Sequence, residues 1–378
     1  MSILKFKLVA TAAGIALGLV ATTAQASHFR GGALISSVSA SGLLTVQSTT
    51  FWAPTSPAQL GISVSGSSSV SQSFAPNDVS DSRFTKVVGN YTYQLTGTGI
   101  HNLAMSSCCR VVGPINSGST AWTLNSAIFW NGTTTNTPIL FNFSNVQPEV
   151  LRGAAYSGNL GAVAGAGLTL TYDQVLNPPI SAQPAGFVVN PTTGALTIGA
   201  ASTTVANYPD NTAGNIGADV AFSGNIKASD GSFVEFEWLF DGVNTGVNLA
   251  PTVNDQIINA LIGSTVSTIV TASDDGLPNP PAALSWIDVG LLGGLGTCSN
   301  APTFNVLTQA FAWNTANCTP GQFIYQVQTS DSQKTDFGTL SINLTANGHS
   351  QVPEPGMLSL FGLAALGLAG FSRRRKQV

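Results

Sequence analysis

The strongest constraint on this chain is an alternation of period two. Val234, Phe236, Trp238 and Phe240 alternate with Glu235, Glu237 and Leu239, so their side chains share one face only if the backbone is extended. A helix would scatter the same four around its axis. Tyr91, Tyr93 and Leu95 alternate in the same way with Thr92 and Gln94, and Leu340, Ile342 and Leu344 with Ser341, Asn343 and Thr345. Between such runs stand Gly, Pro and Asn, which turn a chain rather than continue it. With 43% hydrophobic and only 8% charged residues there is enough apolar surface to bury, which excludes a disordered chain. A length of 378 residues accommodates two or three domains.

The two ends differ from this body. Residues 1–26 have the three parts of a secretory signal: Lys5 and Lys7, an apolar stretch from Leu8 to Ala21, and small residues at Ala24 and Ala26. Cleavage between Ala26 and Ser27 is expected. At the other end Val352-Pro353-Glu354-Pro355 precedes an apolar run from Met357 to Phe371, then Arg373, Arg374, Arg375 and Lys376. The run, about 15 residues, is shorter than a bilayer core requires, and snorkelling arginines cover the deficit. Positive charge after the span holds the C-terminus in the cytoplasm.

The order Pro-Glu-Pro, short apolar helix and arginine cluster resembles the PEP-CTERM sorting signal of Gram-negative bacteria. The resemblance implies export across the inner membrane and a transient hold there by the C-terminal helix. It also implies processing by exosortase, a membrane cysteine enzyme, and a final place at the cell surface or in the extracellular matrix. Family members accompany exopolysaccharide and biofilm formation, so exopolysaccharide or other surface proteins are the expected partners.

Three further resemblances divide the body. His28-Phe29-Arg30-Gly31-Gly32 and the later Cys108-Cys109-Arg110 resemble an extracellular β-domain at the N-terminus of secreted multi-domain proteins. Its usual Trp after the glycines is replaced here by the stretch Ala33 to Ser37. Asn190-Pro191-Thr192-Thr193-Gly194, between Phe187–Val189 and Ala195–Ile198, resembles the hairpin of cadherin-like and immunoglobulin-like repeats, and its Pro and Gly suit a reversal. The segment from Thr271 to Pro281, followed by Leu284-Ser285-Trp286 and later by Pro320 to Tyr325, resembles the PKD-type immunoglobulin-like module. The expected organisation is a signal peptide (1–26), an N-terminal β-domain (27–150), a cadherin/immunoglobulin-like sandwich (151–249), a PKD-type sandwich (250–346), and a linker with sorting tail (347–378). The expected fold class is all-β: tandem immunoglobulin-like β-sandwich modules between a signal peptide and a C-terminal transmembrane sorting helix.

Charge and motifs narrow the function. Once the leader and tail are set aside, seven basic residues face sixteen acidic ones, and between Asp210 and Asp336 only Lys227 and Lys334 oppose twelve acids. Such a surface disfavours nucleic acid. None of the three histidines falls in a nucleophile or metal motif, so no catalytic residue is expected and the leading reading is a non-enzymatic surface or matrix protein. The rival readings are an extracellular polysaccharide hydrolase and a purely structural surface-layer component. Glu235 and Glu237 come nearest to a glycosidase pair but are expected to face solvent, opposite Phe236 and Trp238. Asp230, Asp274, Asp275 and Asp331 lie in turn sequences. They are weak calcium candidates, better read as carboxylates capping their own turns, and no cofactor is expected. Cys298 and Cys318 are placed for one disulfide within a module, whereas Cys108 and Cys109 either bridge each other or stay thiols.

Overall fold

The computed structural model describes residues 28–141, 148–165, 167–209, 219–278, 283–294 and 296–346. The expected cleavage site at Ala26 and Ser27 lies outside these residues. So does the expected sorting tail with Val352, Pro353, Glu354, Pro355, Arg373, Arg374 and Arg375. Among the described residues no helix is long and apolar enough to cross a membrane. They form strands and loops with one short 3-10 turn, Ala200–Ser202.

The strand Phe233–Val243 is the spine of the larger part of the molecule. Along one edge it pairs with Val220–Ala228, which in turn pairs with Leu170–Asp173. Along the other it pairs first with Trp122–Trp130 and then with Phe29–Val38. Through these contacts a single eleven-stranded sheet spans residues on both sides of the expected boundary at 150/151. The N-terminal strands fold into two layers, Phe29–Val38, Leu43–Trp52, Thr85–Leu95 and Ser67–Phe74 against Ser63–Val64, Gly99–Ser107 and Trp122–Trp130. Leu44, Val46, Tyr91, Leu103, Leu124 and Ile128 fill the space between them.

The spine serves a second core. Val234, Phe236, Trp238 and Phe240 are buried with Phe222, Tyr172, Phe187, Leu196 and Ile198. Phe222 stacks on Phe240 with ring centres 4.3 Å apart and meets Trp238 edge-on at 5.6 Å. The Asn190–Gly194 turn closes the hairpin between Phe187–Val189 and Ala195–Ile198. Asn190 Oδ1 accepts the N–H groups of Thr192 and Thr193 at 2.9 and 3.0 Å. Gly194 takes φ +68°, and a Cβ there would meet the Tyr172 ring at 2.7 Å, so the turn requires glycine.

The C-terminal segment is a β-sandwich with its own core. Gln256–Leu261, Thr335–Thr345, Gly321–Ser330 and Ser285–Gly294 form one sheet, and Thr265–Ile269, Ala310–Asn314 and Thr303–Asn305 the other. Val266, Phe311, Trp313, Phe323, Tyr325, Leu340, Ile342 and Leu344 are buried between them. The Cys298–Cys318 disulfide borders this core. Closing a loop of that length contributes about 3 kcal/mol in the chain-entropy account.

One expectation fails on the spine. Glu235 and Glu237 do not face solvent: they are 3% and 0% exposed. At Glu237 and Leu239 the face opposite the aromatic one is covered by Arg110, Val111 and Ile180.

Candidate ligand-binding cleft

The two motifs of the N-terminal segment meet in space. The Phe29 N–H donates to the Cys109 carbonyl at 3.1 Å, and the Val111 N–H to the Phe29 carbonyl at 3.0 Å. Phe29 stacks on Trp122 at 3.7 Å and meets Trp52 edge-on at 5.4 Å. The two glycines that follow Arg30 stand where there is no room for a side chain. A Cβ on Gly31 would lie 2.1 Å from the Glu237 carbonyl oxygen, and one on Gly32 would lie 2.5 Å from that of Thr49. Arg110, 1% exposed, pairs with Glu237 and donates to Ser117 Oγ at 3.1 Å. Cys108 and Cys109 are bonded to each other beside this pair. The His-Phe-Arg-Gly-Gly and Cys-Cys-Arg sequences thus serve to seat the first strand against the spine.

Next to Glu237 the sheet changes partners. Phe233 and Val234 pair with Ala127 and Ser126, whereas Phe236 and Glu237 pair with Ala33 and Gly32. Glu235 stands at the exchange. Its Oε2 accepts the Asn125 N–H at 2.6 Å, doing what a strand carbonyl does elsewhere. A cleft of about 610 Å3 opens here, with Asn102, Asn125, Asn177 and Asn225 among its lining, Ser63 and Ser65 at its lip, and Phe233 in its wall. Burial pushes the Glu235 carboxyl up to about 7, against the opposing pull of its hydrogen bond from Asn125. His101 is not part of the lining. Its Nδ1 and Nε2 lie 2.9 and 2.8 Å from the Ser65 and Gly97 carbonyls and brace the lip.

A second group of charges lies where the C-terminal sandwich meets the rest. Asp81 Oδ1 accepts Arg83 Nε at 3.0 Å, and its Oδ2 accepts Arg83 Nη2 at 2.8 Å and the Thr335 N–H at 2.9 Å. Arg83 also donates to the Thr335 carbonyl at 3.1 Å and lies 3.6 Å from Glu149. Lys334 pairs with Glu149, whose other oxygen accepts the Ala250 N–H at 2.7 Å. Burial works against the Arg83 charge but Asp81 outweighs it, which holds the guanidinium above its ordinary range. Asp241 is pushed up to about 7 by burial and by Asp219 and Glu149, and Asp336 to about 7 by burial.

The four calcium candidates are engaged in turns. Asp230 accepts Ser232 N–H and Asn136 Nδ2; Asp331 accepts the N–H groups of Gln333 and Lys334 and the Asn248 amide. Asp275 accepts from Leu277 and Leu249, and Asp274 from Gly276. Among the described residues no three His, Cys, Asp or Glu side chains are grouped to hold a metal ion.

Of these features the sequence singled out Glu235 but not the amides around it. Asn and Ser are common in this chain, and nothing local marks Asn177 or Asn225 as different from the rest.

An all-β body and a terminal address thus define the class of protein. The chain carries the PEP-CTERM protein-sorting motif over residues 351–376, which marks it for export and surface sorting. No curated protein matches the chain. Solved structures that match include the titin domains z1z2 in complex with telethonin, at 13% identity and TM-score 0.18 over 55% of this chain and 97% of that one. The N-terminal Ig1-2 module of the Drosophila receptor protein tyrosine phosphatase DLAR matches at 12% and 0.21, over 55% and 99%. An I-band fragment from titin matches at 9% and 0.19, over 83% and 99%. At such TM-scores nothing is transferred from these immunoglobulin-domain proteins, and the architecture rests on the strand pairing described above.

Proposed function

We propose that this is a non-enzymatic cell-surface or matrix protein of a Gram-negative bacterium, released by exosortase at its tail and holding exopolysaccharide through the cleft beside Glu235. The sorting motif at residues 351–376 carries the first half of this reading. The cleft supports the second: it is large enough for a ligand, and most of its described lining residues are Asn, Ser or Glu, with Val64, Leu103, Ala104 and Phe233 between them. Glycoside hydrolysis uses two carboxyl groups flanking the scissile bond. Glu235 is the carboxyl among the described lining residues, while Glu237, two positions on, is tied to Arg110. That favours binding over cleavage. No calcium requirement is proposed, because the loop carboxylates already accept hydrogen bonds from their own turns.

Intact-mass measurement of the extracellular protein tests the address. The expected species begins at Ser27 and ends near Pro355. A mass that retains Arg373 to Lys376 contradicts exosortase release.

A further inference from the structure

We propose that the cleft at the strand exchange takes a neutral saccharide, with the Asn177 amide donating to a ligand oxygen; this names the ligand class of the matrix-binding reading and rests on it. The Asn177 side chain lines the cleft and is only 6% exposed, yet its Nδ2 has no hydrogen-bond partner among the described residues. Its backbone is held on both sides. The N–H donates to Ser223 Oγ at 3.2 Å and the carbonyl accepts from Ile180 at 2.8 Å. A buried donor left unpaired costs about 1–3 kcal/mol, so native folds leave few without a reason. A donor held beside a cleft has a reason if a ligand acceptor meets it.

The rest of the lining selects the ligand's chemistry. Amides both donate and accept, and so do the hydroxyl groups of a sugar, so Asn102, Asn125 and Asn225 match a polyol from several sides. Asn225 sits directly opposite Glu235 in the strand register, which sets a donor amide and an acceptor carboxyl on the same patch. Phe233 adds an aromatic surface of the kind that covers the C–H face of a ring. Among the described lining residues there is no Lys or Arg to neutralise a phosphate, sulfate or uronate, and Glu235 repels all three. For a cationic ligand the lining offers a single carboxyl, which burial pushes up to about 7, so that it is only partly ionised near neutral pH.

The test is calorimetric titration of the purified exported protein with maltohexaose, cellohexaose and laminarihexaose as neutral probes, hexagalacturonate as the anionic probe and chitosan hexamer as the cationic one. At least one neutral probe should bind, and neither charged probe should bind as tightly. Asn177→Ala should weaken that binding about tenfold or more and leave the melting temperature unchanged, because Nδ2 has no partner among the described residues to lose. Asn102→Ala, on the exposed lip, should weaken it without any effect on folding even if the first variant proves unstable. Failure of all three neutral probes overturns the neutral-saccharide assignment. If the protein binds a probe and both variants bind it equally well, the cleft assignment falls while the matrix-binding reading stands.

Discussion

Between the N-terminal and middle segments the joint is backbone: Phe233–Val243 donates and accepts strand hydrogen bonds on both sides of the expected 150/151 boundary. Between these and the C-terminal sandwich the joint is mostly side chain, built on Asp81, Arg83, Glu149 and Lys334 with Thr335, supplemented by a backbone bond from the Ser82 N–H to the Gln333 carbonyl and by Phe337 buried with the residues of the spine's core. The first kind cannot separate without exposing a row of unpaired peptide groups. The second can separate if its charges are satisfied elsewhere. It also costs more to assemble, since each ion must leave water. The contrast places the cleft on the side of the spine, where the sheet fixes Glu235 and hydrogen bonds to Ser223 and Ile180 hold the Asn177 loop.

Breaking the backbone joint should have the largest effect. Arg110→Ala leaves Glu237 charged and fully enclosed, and should cost about 3–5 kcal/mol, the usual penalty for stranding one ion of a buried pair. Replacing both partners, Arg110→Met with Glu237→Leu, should recover most of that loss. Urea denaturation of the three proteins checks it, and an Arg110→Ala variant as stable as the parent would show that the pair does not hold the spine.

The side-chain joint should give a smaller effect. Asp81→Asn keeps the shape and the acceptor for Thr335 but removes the charge facing Arg83, which retains Glu149 at 3.6 Å. The expected cost is about 2 kcal/mol, the worth of a hydrogen bond to a charged group. It should appear in calorimetry as earlier melting of the C-terminal sandwich, with the transition of the rest little changed. A uniform shift of the whole protein would argue that the two joints are equally tight.

The smallest effect should have the opposite sign. The Asp336 carboxyl, ordinarily near 3.8, is held up to about 7 by burial. The folded protein therefore keeps this proton while the unfolded chain has released it, and stability falls as pH rises from about 4 to 7. Asp336→Asn keeps an acceptor for the Val253 N–H and removes the titration. It should stabilise the protein by about 1 kcal/mol or more at pH 8, where the folded protein would otherwise hold the carboxyl ionised, and by a smaller amount at pH 5. Equal effects at the two pH values would remove Asp336 from the account.

Much of the fold was legible because strand periodicity and turn chemistry are local. The aromatic face of Val234 to Phe240, the Asn190–Gly194 hairpin and the alternation at Tyr91 and Leu340 all follow from neighbours in sequence. Which strand sits beside which is not local. The exchange of partners at Glu235 depends on segments about a hundred and two hundred residues away. Glu235 and Glu237 looked solvent-facing because a charged face opposite an aromatic one is the ordinary sign of a half-exposed strand. Here Arg110 and the Asn125 N–H make it possible to bury that face instead. Asn177 left no trace in the sequence, since its significance lies in an unpaired amide and not in a motif.

The shared spine is the claim on which the cleft and both joints depend, and thermal unfolding of a fragment comprising residues 27–150 tests it most directly. Without Phe233–Val243, the strands Phe29–Val38 and Trp122–Trp130 lose their common partner and Arg110 its counter-ion. The account predicts no cooperative transition for that fragment, whereas residues 27–249 should melt in a single step. A sharp, reversible transition for residues 27–150 alone would contradict it.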